Sequence, residues 1–174
     1  MSSGPILAQS QHEDGRWSTV DETMRTANID EPDGRPRNLG GLLATAAGAK
    51  SSDHLVIAGG GVELLIDLMH RGFANAVCAY PGHPLVGEDP DVLLIPDAGS
   101  PGELANILAG LGRRLHAAGV AVIYDRRLPT RERLATLDRL LAAYGFGALV
   151  PVKCAQGHVL KSLKLDTRAL VAAA

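Results

Sequence analysis

Aromatic side chains make up only 3% of this 174-residue chain, although 46% of it is hydrophobic. A core of the size expected for that length must therefore be built from Leu, Val, Ile and Ala. Positive charge is not in excess either: the formal net charge is −2. Without a broad basic field, nucleic acid is excluded as the main partner. No apolar run approaches the ~20 residues needed to span a bilayer. Residues 1–11 lack a basic stretch followed by a long apolar one, so no secretory leader is read there. The only cysteines, Cys78 and Cys154, lie far apart and lack metal-type spacing. Both fall in apolar, strand-like runs and read as buried, reduced thiols rather than as a disulfide or a nucleophile. The chain reads as cytoplasmic.

What is present is organised around His54-Leu55-Val56-Ile57-Ala58-Gly59-Gly60-Gly61 and the helical pattern that follows, in which Leu64, Leu65, Leu68 and Met69 form an apolar stripe. A short apolar run, three glycines and an amphipathic helix make the turn found at the ligand edge of a parallel sheet. Before it, residues 1–38 are polar and broken by Pro and Gly, an arm that is mobile or ordered by docking, with one or two helical turns over residues 20–27. The domain proper is expected over residues 39–174. It opens with a helix over residues 39–49 that Asn38 would cap.

After Gly72 the pattern predicts strands at residues 75–79, 91–95 and 120–124, and helices from Ser100 towards a stop at Gly119 and from Thr130 to Ala143. Ser100-Pro101-Gly102-Glu103 carries a capping box with proline at the first helical position. Residues 146–152 and 158–165 read as a hairpin turned at Ala155-Gln156-Gly157. Residues 81–90 hold three prolines and leave no room for a helix. Alternating strands and helices closed by a hairpin give an α/β class: a Rossmann-like, mostly parallel three-layer sheet with one antiparallel strand.

The stretch Asp91-Val92-Leu93-Leu94-Ile95, then Leu111-Gly112-Arg113-Arg114-Leu115 and Ala118-Gly119-Val120-Ala121-Val122-Ile123, resembles the class I S-adenosylmethionine-dependent methyltransferases. Ala143-Tyr144-Gly145-Phe146 is similar to that family's opening of its last hairpin. The resemblance covers about residues 39–165. It implies the strand order second, first, third, fourth, then the hairpin with its last strand beside the fourth. It also implies S-adenosylmethionine at Gly59, Gly60, Gly61 and Tyr80, with Asp97 and His83 near a substrate.

Several positions depart from the family's pattern. Ile57 stands where the family carries an acid, Glu63 where it has a third glycine, and the run Val77-Cys78-Ala79-Tyr80 has no carboxylate for the ribose hydroxyls. Residues 81–90 are too short for the outer strand and its helices, so the second strand is expected at an edge. The N-terminal arm or a second copy is expected to cover that edge.

Rival readings remain at each site. Gly59 and Gly61 fit the start of a dinucleotide fingerprint, whose last glycine is replaced by Leu64. The glycines also suit a purely structural close approach of strand and helix. Asp97 reads as a base, as an anchor for a substrate amine, or as a cap for the next helix. Asp125 is expected on a solvated loop paired with Arg126 and Arg127. The scattered histidines predict no metal site. Two functions follow: a methyltransferase-fold protein without catalysis, serving as a binding, regulatory or structural partner, or a small active methyltransferase.

Overall fold

The computed structural model describes residues 38–59, 61–83, 85, 87–125, 130–152 and 158–166. Its elements are α1 (Leu39–Ala47), β1 (Leu55–Ala58), α2 (Val62–His70), β2 (Ala76–Ala79), β3 (Val92–Ile95), α3 (Pro101–Ile107), β4 (Val120–Asp125), α4 (Arg131–Ala143), β5 (Val150–Val152) and β6 (His158–Leu163). They form one six-stranded sheet in the order β2-β1-β3-β4-β6-β5. β2, β1, β3 and β4 are parallel, and β6 runs antiparallel between β4 and β5. This is the expected Rossmann-like, methyltransferase-like arrangement with an outer strand missing and a C-terminal antiparallel hairpin.

Strand periodicity divides the core between the two faces of the sheet. Val56, Leu93, Ile95, Ala121 and Ile123 point to one side, where Leu104, Leu108 and Leu111 of the α3 segment and Leu137 and Leu141 of α4 cover them. Leu55, Ile57, Leu94, Val122 and Tyr124 point to the other, beneath Leu39 and Leu43 of α1 and Leu64 and Leu68 of α2. All four residues of β3 are buried, as required of a strand covered on both faces.

Local chemistry explains where several elements start and stop. Ser100 Oγ accepts the Glu103 amide at 3.2 Å and Glu103 returns the bond to the Ser100 amide at 2.6 Å, completing the capping box. Thr130 Oγ1 caps α4 through the Arg133 amide at 3.2 Å. The connection between β2 and β3 is held by Arg114, which bonds Asp89 at 2.7 Å, the Gly87 carbonyl at 2.9 Å and the Leu85 carbonyl. One arginine thus ties down the segment that replaces the missing strand and helices.

Other expectations are corrected. α1 ends at Ala47, where Gly48 takes a left-handed φ of 71°, and Asn38 makes no side-chain cap. Met69 is 54% exposed: only Leu64 and Leu68 of the apolar positions on α2 are fully buried. The α3 segment does not run as α-helix towards Gly119; it widens into a π turn over Leu108–Gly112. A Cβ on Gly112 would approach Phe146 Cε2 to 3.3 Å, so the glycine admits the aromatic ring. Positive φ at the end of this segment falls on Ala118, at 65°, rather than on Gly119. The first hairpin strand is confined to Val150–Val152, with Phe146 in a lone bridge to Lys164. The N-terminal arm, Gly60, Arg126, Arg127, Cys154 and the expected turn at residues 155–157 lie outside the described residues. No helix among those described is long and apolar enough to cross a membrane.

Candidate functional site

β1 and β3 lie side by side, but the chain leaves β1 towards β2 and leaves β3 towards β4. That reversal opens a crevice beyond the carboxyl ends of the two strands, the position where open α/β sheets bind ligands. The structure has a cleft of about 420 Å³ there. β1 and its turn contribute Ala58 and Gly59, the end of β2 contributes Pro81, the turn after β3 contributes Pro96, Asp97 and Gly99, and α3 contributes Glu103, Asn106 and Ile107. The volume falls in the ordinary range for small-molecule sites.

The glycine turn serves two different purposes. Gly59 has φ +83°, which favours glycine, and a Cβ built on it would meet nothing within 4 Å. Its amide donates to the Ala79 carbonyl at 2.8 Å, extending the β1–β2 ladder by one bond. Gly61 is extended, at φ −175°, and a Cβ there would make only ordinary contacts with Ile57 and Leu64 at 3.5 Å. Conformation therefore calls for glycine at position 59 and not at 61. Glu63 is exposed in the first turn of α2, at the end that would otherwise attract an anion.

Asp97 lies on the cleft and is exposed, and its Oδ1 accepts the Gly99 amide at 3.0 Å. This bond closes a turn just ahead of the N-cap Ser100. Glu103 also lines the cleft while its Oε2 holds the Ser100 amide. Among the described residues that line the cleft, the charged side chains are Asp97 and Glu103.

Behind it, Asp125 is 1% exposed at the end of β4. Its Oδ2 pairs with Arg133 Nε at 2.5 Å, and Arg133 NH2 reaches the Gly99 carbonyl at 3.1 Å. Asp125 is therefore a buried partner that helps to hold the cleft wall, not a solvated loop residue.

Of the residues singled out from the sequence, Gly59 and Asp97 line the cleft, whereas Tyr80 and His83 do not. Those two meet edge-to-face on the surface beyond β2, with ring centroids 6.2 Å apart. Cys78 is a free, half-buried thiol 3.8 Å from the Gly61 carbonyl. Burial pushes its pKa up, against the smaller lowering by that bond, which disfavours the thiolate. Among the described residues no three His, Cys, Asp or Glu side chains group as a metal site. Glu103 and Asn106 escaped the sequence reading because Glu103 was absorbed by its capping role and Asn106 belongs to no motif. Their spacing of three on the helix after β3 is the signal that would have found them.

No family model matches the chain, and no curated protein matches it. Solved structures do. Human N-acetylserotonin methyltransferase, determined in complex with SAM (S-adenosylmethionine), superposes with a TM-score of 0.54 at 12% identity, over 72% of this chain and 51% of the enzyme. This chain thus spans about half the length of that enzyme. The precorrin-6y C5,15-methyltransferase of Geobacter metallireducens gives 0.51 at 15% identity, over 82% of this chain and 95% of the other. A sugar N-methyltransferase from Streptoalloteichus gives 0.52 at 12% identity, over 95% and 100%. At such low identities the likeness concerns architecture, and the architecture is that of the class I methyltransferases.

Proposed function

We propose that this chain is a methyltransferase-fold protein that does not transfer methyl groups and instead acts as a binding, regulatory or structural partner. The observation that carries this reading is the end of β2: Ala76–Ala79 and exposed Tyr80 hold no carboxylate where the family resemblance implies an acid for the ribose hydroxyls. A charge-assisted hydrogen bond of that kind contributes about 1.5–3 kcal/mol, so its loss weakens a cofactor roughly ten- to hundredfold. Glu63 adds repulsion at the helix end where the methionine carboxylate would approach.

A second reading, a small active S-adenosylmethionine-dependent methyltransferase, is favoured by one observation: the cleft at the strand crossover exposes the Gly59 backbone beside Asp97. Calorimetric titration with S-adenosylmethionine and its demethylated product, with a nicotinamide dinucleotide as control, separates the two. The expected result is no saturable heat from any of them on well-folded protein. Micromolar binding of S-adenosylmethionine that Gly61→Arg abolishes would overturn the first reading and turn the question to the methyl acceptor of the second.

A further inference from the structure

The outer face of α2 is apolar and uncovered. Val62 is 59% exposed, Ile66 47% and Met69 54%, and they recur at i, i+4 and i+7, so they form one stripe. Glu63 and His70 are exposed on the same helix, but they flank the stripe rather than interrupt it. Beside the stripe, β2 is the edge strand, with Val77 and Cys78 only half-buried. α1 does not cover this face. It packs on the opposite side of α2, where the Gly41 amide donates to Asp67 Oδ2 at 3.2 Å and a Cβ on Gly40 would lie 2.6 Å from Asp67 Oδ2 and 3.3 Å from the Leu64 carbonyl oxygen.

We propose that residues 17–27 dock on this stripe as an amphipathic helix, filling the place left by the missing helix and outer strand. In that segment Trp17, Val20, Met24 and Ala27 recur at i, i+3, i+7 and i+10, with Ser, Thr, Asp, Glu and Arg between them.

The geometry of attachment favours this occupant over a second copy. The segment joins the fold at Asn38, immediately before the α1 end that touches α2. Residues 28–37 form the tether, rich in Pro, Gly and charge. At ~3.3 Å per residue these ten residues reach about 33 Å. Crossing a helix of about 10–12 Å diameter takes less than half of that. A tethered segment also acts at an effective concentration of order millimolar, which a second molecule does not reach in dilute solution. The edge itself offers a second copy little, because β2 is four residues long and its Ala76 and Ala79 are buried already. This proposal is independent of whether the cleft binds S-adenosylmethionine.

Trp17 is the only tryptophan in the chain, so its fluorescence reports the docking directly. In the full chain the emission is expected to be blue-shifted and shielded from acrylamide, equally at low and high protein concentration. Ile66→Glu with Met69→Glu should move the emission to that of the denatured chain and raise quenching to match. Val20→Glu, which leaves the body of the fold untouched, should do the same. An unshielded Trp17 in the unaltered protein would overturn the proposal. So would shielding that ignores the α2 and Val20 substitutions, or shielding that disappears on dilution together with a dimer.

Discussion

At the Asp125–Arg133 pair a single side chain carries a large structural consequence. The two side chains are 2% and 16% exposed, so the pair sits in a medium that screens it poorly. Forming such a pair gains little over a well-packed apolar pair, but removing one side chain takes a short ion pair away from a charge that stays buried. Arg133→Met should therefore cost about 3–5 kcal/mol in urea unfolding, whereas Asp125→Leu combined with Arg133→Met should recover most of that loss. A single variant as stable as the double would show that the carboxylate is satisfied without Arg133. The sequence located Asp125 at the carboxyl edge but assigned it to a solvated loop beside Arg126 and Arg127. Arg133, which pairs with it, is eight residues away in the first turn of α4, and β4 extends through Asp125 itself. A local reading of charge cannot see that burial. It depends on Gly99 and Ala98 being folded over the strand end, where the Ala98 amide bonds the Tyr124 carbonyl at 3.1 Å.

At the level of elements, starts were legible and ends were not. The Ser100 box and the Thr130 cap act through side chains adjacent in sequence, so the residues that make them also announce them. Ends depend on what the chain meets next. Gly119 was read as a helix stop because it follows an apolar period, yet the period survives the π turn, with Leu111 and Leu115 both buried. Its actual role is close approach: a Cβ there would lie 2.8 Å from the His116 carbonyl oxygen and from Leu115 Cγ, and 3.0 Å from the Asp91 carbonyl oxygen. Two of these three atoms are backbone and cannot swing away. Gly119→Ala should therefore destabilise the protein by about 1–3 kcal/mol through overpacking, measurable by thermal or denaturant unfolding. A neutral result would mean that the junction before β4 is looser than the contacts require. The Arg114 clamp was likewise invisible in the sequence, because its three partners lie 25 to 29 residues earlier in a connection without periodic pattern.

On the scale of the molecule, strand existence came from apolar runs, but strand order came only from the family resemblance. Periodicity says which face a residue points to and nothing about which strand lies beside it. The observed order leaves β2 and β5 with one neighbour each, while β1, β3, β4 and β6 have two. Both core clusters are anchored on the two-neighbour strands, through Leu93 and Ile123 on one face and Leu94 and Val122 on the other. Opening any of these strands removes apolar contacts from both faces together, so their amides should exchange only through global unfolding, which for a domain costs about 5–15 kcal/mol. β2 can detach from β1 by losing one ladder and the cover over Ala76 and Ala79. Hydrogen exchange followed by mass spectrometry should therefore show β2 and β5 exchanging at least about tenfold faster than β3, a gap of roughly 1.4 kcal/mol or more. If β2 instead exchanged as slowly as β3, its free side would be paired with another strand, and the sheet in solution would extend beyond the six strands described.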